Sequence, residues 1–199
     1  SPKNKNFKII DEKLLIGKSN PKNKNFDILY FACRDVDKVI IPSYIKHISP
    51  FCFQKCTYLK SIEFAPNSRL LTIGKHAFSN SSIESIKIPS SCQQIGEYSF
   101  YKCKLFTRIE FDVKSELKLI GDGCFIKTQL MSIQIPDNVT EIGKDAFYKC
   151  DTLTKVIFSN NSKLNTIGDQ AFSQSSIIEI TIPKHVKHIP RKAFYHCIY

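Results

Sequence analysis

The stretch IQIPDNVTEIGKDAFYKC, residues 133–150, decides the fold because its most distinctive residues return along the chain at one fixed interval. Its proline, phenylalanine and cysteine each recur every 47 residues without insertion or deletion. The three series are Pro42, Pro89, Pro136 and Pro183; Phe53, Phe100, Phe147 and Phe194; and Cys56, Cys103, Cys150 and Cys197. A fixed period of this kind predicts a solenoid, in which each repeat buries its apolar face only against its neighbours.

Each 47-residue period divides into two similar halves, and each half forms one coil. The phenylalanine returns at alternating steps of 25 and 22 residues, at positions 53, 78, 100, 125, 147, 172 and 194. Between successive phenylalanines lies a short segment such as Ile86-Lys87-Ile88, whose alternation and β-branched residues predict a strand. Seven strands are predicted, at residues 39–41, 62–64, 86–88, 109–111, 133–135, 156–158 and 180–182. Stacked in order, they form a parallel sheet.

The segment around each repeated phenylalanine predicts the opposite wall of the solenoid. It is too short for more than about one turn of α- or 3₁₀-helix. Its phenylalanine points inward, as one step of a stacked ladder. The Ile-Gly pair before it recurs with glycine at 74, 96, 121, 143 and 168, while Pro190 fills the same slot in the last coil. Since proline cannot take a positive φ, close packing explains this glycine better than a left-handed turn.

The chain predicts two parts. Residues 1–30 do not fit the repeat and form an N-terminal cap, with its strand at Leu14-Leu15-Ile16. Residues 31–199 form the solenoid of about seven coils, the first of which begins at Phe31-Ala32-Cys33. The sequence stops one residue before the next expected leucine, so we expect a solenoid truncated at its C-terminal end. Its last strand edge would then be open to end-to-end association with another copy.

The repeat resembles the BspA-like class of leucine-rich repeats, also called the Treponema pallidum type. The resemblance rests on Cys150-Asp151-Thr152-Leu153, on Val156-Ile157-Phe158, and on the pattern from Ile133-Gln134-Ile135-Pro136 to Ala146-Phe147. It covers about residues 31 to 199. It implies an α/β repeat fold, a curved solenoid with parallel strands on the concave face and short helical or 3₁₀ turns and loops on the convex side. It also implies a surface-exposed or secreted protein, several relatives of which act as adhesins.

Composition excludes several classes of function. The formal net charge is +11, but the lysines are scattered and no block of five or six basic residues occurs, so no nucleic-acid partner is expected. No run of about 18 apolar residues is present, so this stretch of chain contains no membrane span. Four of the eight cysteines occupy the same position of the 47-residue repeat, which spans two coils. Successive members would therefore lie roughly 10 Å apart, too far for a disulfide. Seven of the eight cysteines are therefore predicted to be small core residues, and Cys33 is left open.

The outward residues of the strands are the candidates for partner binding. Most carry charges or hydroxyls, but apolar side chains gather towards the C-terminal coils. We predict a patch for a protein or glycan ligand at Met131, Lys155, Ile157, Ile178 and Glu179, with Arg108 beside it. The alternative is a solvated sheet face with incidental apolar residues.

Catalytic and cofactor chemistry finds little support in the sequence. His185, His188 and His196 lie close to Cys197, but Cys197 belongs to a core series, so no metal and no cofactor are expected. No phosphate-binding loop or nucleophile with a histidine partner is recognisable. Asn80, Asn138 and Asn160 begin formal N-glycosylation motifs.

Two functions remain open. The first is a non-enzymatic interaction protein at the cell surface or secreted, which uses its concave strand face. The second is an intracellular, cytoplasmic repeat scaffold, which tolerates unpaired cysteines better.

Overall fold

The computed structural model describes residues 4–22 and 24–197, and in that part the chain winds into a β-solenoid of fifteen strands. They are β1 (Phe7–Ile10), β2 (Leu14–Gly17), β3 (Ile28–Ala32), β4 (Lys38–Ile41), β5 (His47–Ile48), β6 (Ser61–Phe64), β7 (Thr72–Ile73), β8 (Ser85–Ile88), β9 (Gln94–Ile95), β10 (Arg108–Phe111), β11 (Leu119–Ile120), β12 (Ser132–Ile135), β13 (Glu141–Ile142), β14 (Lys155–Phe158) and β15 (Thr166–Ile167).

Six four-residue strands, the even-numbered ones from β4 to β14, make one wall of the solenoid, which we call the long-strand wall. They pair in parallel, as predicted, with β4, β6, β8 and β10 in one sheet and β12 and β14 in another. Alternate residues point inward, so that Ile86 is buried while Lys87 is exposed. β10 and β12 lie side by side without a hydrogen-bonded ladder, a break that the sequence did not indicate.

The seventh predicted long strand, at residues 180–182, does not form. A single parallel bridge joins Lys155 to Glu179 instead. Part of the reason lies on the opposite wall, where glycines such as Gly168 donate their N–H to the preceding coil, here to the carbonyl of Ile142 at 2.8 Å. Pro190 has no N–H for this bond, so the last coil is held less tightly.

The described residues of the opposite wall contain no α- or 3₁₀-helix, so the helical turns that we predicted are not confirmed. Two-residue strands, the odd-numbered ones from β5 to β15, stack there in parallel, and tight turns follow each of them. The reason is backbone conformation: the residues two before and two after a ladder phenylalanine adopt positive φ, as at Phe51 (62°) and Lys55 (58°). A left-handed residue every few positions interrupts a right-handed helix.

These turns bond across coils as well as within them. The N–H of Phe53 donates to the carbonyl of Ala77 (2.7 Å), and the N–H of Lys55 donates to that of Ser79 (2.9 Å). Between them, the N–H of Gln54 bonds back to the carbonyl of Phe51 (3.0 Å). The turn wall thus satisfies its buried backbone groups by ladders between coils rather than by a helix.

The seven repeated phenylalanines form the predicted ladder through the core. Their ring centroids are 5.0–5.4 Å apart from each coil to the next, and the rings are nearly parallel. The six from Phe53 to Phe172 are fully buried, and Phe194 in the last coil is half-buried. Phe106 stacks on Phe100 at 4.7 Å and thickens the ladder at its centre.

Close packing accounts for the repeated glycines, as predicted. A Cβ at Gly96 would lie 2.8 Å from the carbonyl oxygen of Ile73, and one at Gly74 would lie 2.6 Å from the nitrogen of Pro50. Neither glycine has a positive φ. The backbones of successive coils therefore touch where these glycines lie, which leaves no room for a side chain.

At the N-terminal end, β1, β2 and β3 form an antiparallel meander that joins the sheet of short strands through β3 and β5. β2 occupies the predicted position of the cap strand. Asp27 fixes the loop before β3, since its carboxylate accepts bonds from the N–H (2.7 Å) and hydroxyl (2.6 Å) of Ser19. Phe31, at which the first regular coil was predicted to begin, is exposed and lies under Arg34.

The cysteines are free thiols, and six of them are buried, while Cys33 and Cys197 are half-buried. Burial raises the pKa of Cys92 and of Cys150 to about 12. The thiols of the repeated series also donate across coils, as from Cys103 to the carbonyl of Phe78 and from Cys150 to that of Phe125, both at 2.9 Å. They are therefore hydrogen-bonded core groups held in the unreactive thiol form.

Candidate functional site

Four of the six residues predicted for partner binding line one shallow groove. It lies on the long-strand wall between β14 and the last coil, with a volume of about 450 Å³. Lys155 and Ile157 come from β14, where alternation turns both side chains outward. Ile178 and Glu179 come from the neighbouring segment, which the bridge between Lys155 and Glu179 holds against β14.

Apolar side chains around this groove are exposed. The exposed fraction is 72% for Ile178, 59% for Met131 and 38% for Ile157. Met131 lies one coil before β14, directly ahead of β12, and its carbonyl accepts the N–H of Thr154 at 3.0 Å. Five of the predicted residues thus occupy three adjacent coils, and we call Met131, Lys155, Ile157, Ile178 and Glu179 the C-terminal patch.

The charges of the wall differ between its two ends. Lys38 pairs with Glu63 (2.7 Å), and Arg108 pairs with Glu110 of its own strand (2.8 Å). Lys155 and Glu179 are neighbours on adjacent coils, yet within the described residues neither belongs to an ion pair. Arg108 lies on β10, two coils before β14.

The histidine-rich end of the chain does not assemble into a metal site. In residues 4–22 and 24–197, no three His, Cys, Asp or Glu side chains converge as ligands. His185 and His188 lie in loops, His196 is exposed in the last turn, and the thiol of Cys197 donates to the carbonyl of Phe172 at 3.0 Å.

The three glycosylation motifs differ in accessibility. Asn160 is exposed in a turn. The amide of Asn138 is engaged on both sides, because its nitrogen donates to the carbonyl of Ser115 and its oxygen accepts from Lys163, each at 2.8 Å. Asn80 is exposed, but its amide donates to the hydroxyl of Ser79 at 2.9 Å.

An aromatic column on the turn wall was missed by the sequence analysis. Phe51, His76 and Tyr98 occupy the slot two residues before the ladder phenylalanine, and their rings stack at 5.3 and 5.1 Å. The ring of Tyr98 then covers Gly123, where any side chain would collide with it. The signal was available in the sequence, because these residues follow the same steps of 25 and 22 as the ladder.

The repeated coil of one long strand, one short strand and a stacked turn defines this molecule as a leucine-rich repeat solenoid. The BspA type leucine rich repeat region matches residues 25–153 and 71–199, with six copies. The chain therefore belongs to the BspA-type leucine-rich repeat family.

Solved structures of bacterial proteins share the fold. A leucine-rich repeat protein from Bacteroides ovatus is similar with a TM-score of 0.65 and 21% identity over 95% of this chain. One from Eubacterium ventriosum gives 0.61 and 18% over 88%, and the Treponema pallidum leucine rich repeat protein gives 0.59 and 18% over 74%. The matches span 62%, 59% and 80% of those three chains, respectively. A comparison with curated protein sequences finds no match.

Within the described residues, no helix has the length and apolar character that are needed to cross a membrane.

Proposed function

We propose that this chain is a non-enzymatic interaction module of a surface or secreted protein, and that it binds a protein partner through the long-strand wall. The observation that carries this proposal is the C-terminal patch, where three exposed apolar side chains border a groove beside a lysine and a glutamate that form no ion pair with the described residues. In leucine-rich repeats, the strand wall lines the inner side of a horseshoe.

The contrast between the inward and the outward positions of the repeat supports this choice of surface. Ladder residues are identical or nearly so from coil to coil and are buried, so they serve the fold. Outward residues vary, and on the C-terminal coils they combine apolar area with opposite charges, the composition of a protein-binding surface with a polar rim. Ile178 projects most and would be the anchor, while Lys155 and Glu179 would select the partner by charge.

Surface or secreted placement is supported by the family resemblance alone. The free thiols favour the second candidate, an intracellular scaffold, because structural disulfides are typical of small secreted domains. Burial of six thiols protects them from oxidation in either compartment. Labelling of intact cells with a membrane-impermeant reagent separates the candidates, since only a surface protein would be modified.

The proposal is tested by capture of partners with matched variants. The patch variant carries Ile157→Glu and Ile178→Glu, and the control variant carries Ile9→Glu and Ile40→Glu, which are 64% and 56% exposed at the other end of the molecule. Both add two negative charges at exposed isoleucines. We expect the wild-type chain and the control to retain the same proteins from matrix and cell extracts, and the patch variant to lose them. Equal retention by all three chains would contradict the proposal.

A further inference from the structure

Three lysines occupy the same repeat slot on three consecutive coils, two residues after the ladder phenylalanine. The N–H of Lys102 donates to the carbonyl of Ile126 (2.8 Å), that of Lys127 to Tyr148 (3.1 Å), and that of Lys149 to Ser173 (3.0 Å). These bonds join each coil to the next, so the three backbones stack at the inter-strand spacing of about 4.8 Å. We call Lys102, Lys127 and Lys149 the lysine column.

An open groove of about 830 Å³ runs beside the lysine column across several coils. Lys104, Lys127, Lys149 and His196 line it together with amide and hydroxyl side chains, including Gln129 and Ser176. Asp151 is the acidic residue of this lining. The groove therefore carries several positive charges arranged along the axis of the solenoid.

No ion pair compensates these charges in the described part of the chain, although the ammonium groups of Lys102 and Lys149 lie over the rings of Tyr101 (4.9 Å) and Tyr148 (5.3 Å). The ion pairs there involve Lys38, Lys75 and Arg108, and none involves a lysine of the groove or of the column. Like charges on directly adjacent strands repel each other, so the arrangement is unfavourable in the free protein. An anion bound across several coils would remove this repulsion.

The backbone does not require lysine in this slot. All three lysines have a φ of 56°, a left-handed conformation that favours glycine or asparagine. Asn80 and Gln174 fill the same slot in other coils with a φ of 57° and 55°. The conformation of the turn therefore does not explain why three successive coils carry lysine at this position.

From this arrangement we infer that the groove binds a linear sulfated polysaccharide. Lysine ammonium groups are mobile point charges, which suit tetrahedral sulfates spread along a chain, whereas planar carboxylates favour the bidentate fork of arginine. The amides and hydroxyls between the lysines would bind sugar hydroxyls. Single-stranded nucleic acid fits less well, because its bases stack on successive aromatic platforms and His196 is the one aromatic side chain among the lining residues described here. This site shares no residue with the C-terminal patch.

Fluorescence anisotropy with a labelled heparin octasaccharide tests the inference. The groove variant carries Lys104→Gln, Lys127→Gln and Lys149→Gln, since glutamine already occupies the corresponding repeat positions at Gln129 and Gln174. The matched control carries Lys60→Gln, Lys87→Gln and Lys118→Gln, three exposed lysines outside the groove. Both variants lower the net charge by three. We expect the wild-type chain to bind with a Kd that rises steeply with salt, because binding releases counterions.

The groove variant is expected to bind at least about tenfold more weakly, with a salt slope shallower by about 2, while the control stays within about twofold of wild type. An equal loss in both variants would show a general charge effect and overturn the assignment. Equal binding of a hyaluronan octasaccharide, which lacks sulfate, would also overturn it. Tighter binding of a short single-stranded DNA than of the heparin octasaccharide to the same lysines would overturn it as well. Circular dichroism of both variants establishes that each is folded.

Discussion

Removal of the central ladder ring should damage the solenoid more than any change at its surface. Phe125 is fully buried, and its ring lies 5.4 Å from that of Phe100 and 5.1 Å from that of Phe147. Phe125→Ala leaves a cavity between two coils that backbone ladders hold at a fixed spacing, so the site cannot collapse. We expect a loss of about 3–5 kcal/mol in the free energy of unfolding.

Urea unfolding followed by far-UV circular dichroism measures this loss. With a slope of about 2 kcal/mol per molar urea, the midpoint should fall by roughly 2 M. Phe194→Ala is the internal comparison, because Phe194 is half-buried and, among the described rings, stacks only on Phe172, at 5.4 Å. We expect it to cost about 1–2 kcal/mol. A Phe125→Ala midpoint equal to that of Phe194→Ala, or within about 0.5 M of wild type, would refute the ladder as the main source of stability.

Three further outcomes follow from the packing. An aromatic disulfide reagent at pH 8 should modify Cys33 and Cys197 in the native protein and the six buried thiols only after denaturation; rapid modification of all eight would contradict the burial. Gly96→Ala should cost about 2 kcal/mol or more in thermal unfolding, because its Cβ would meet backbone, and an unchanged Tm would show that the coils can separate. Burial opposes ionisation of Asp27, but the two bonds from Ser19 together with the charges of His47 and Lys46 lower its pKa. Asp27→Asn should therefore destabilise the cap by about 1–2 kcal/mol at pH 7, and the difference should vanish as the pH falls below the folded pKa. A difference that does not depend on pH would show that the Asp27 charge is not its cause.

The features that were predicted correctly from the sequence are those that the stacking of equivalent repeat positions determines. A solenoid places the same position of every coil in one column, so a residue that must be buried or small recurs with the period. The inward phenylalanines, the packed glycines and the parallel long strands were all read from this recurrence. These predictions hold because all residues in one column of the stack share one environment, and the amino-acid types in that column indicate which environment it is.

The turn wall could not be predicted in the same way. Lysine, tyrosine and glutamine adopt positive φ there although none of them signals it locally, whereas Asn80, Gly123 and Asp145 are of residue types that favour it. The inter-coil hydrogen bonds force this conformation, and they exist only once the coils are stacked. The missing seventh strand has a readable cause in Pro190, but the break between β10 and β12 has no counterpart in the sequence.

The candidate surfaces were predicted only in part. Outward residues of the long-strand wall could be listed because alternation defines them, and five of the six residues predicted for partner binding lie on three adjacent coils. The aromatic and lysine columns were overlooked because the sequence analysis treated only the inward phenylalanine of the turn segment as a stacked position. Because the turns of successive coils stack, every position of the repeat forms a column of side chains that share one environment.

The most direct test of the central claim is site-specific photo-crosslinking on the long-strand wall. A photoreactive phenylalanine analogue replaces Ile157 in one protein and Ile9 in another, and each is irradiated with the partner captured by the wild-type chain. The account predicts a crosslinked product from position 157 and none from position 9. Crosslinking from position 9 alone, or equal yields from both, would contradict binding through the long-strand wall.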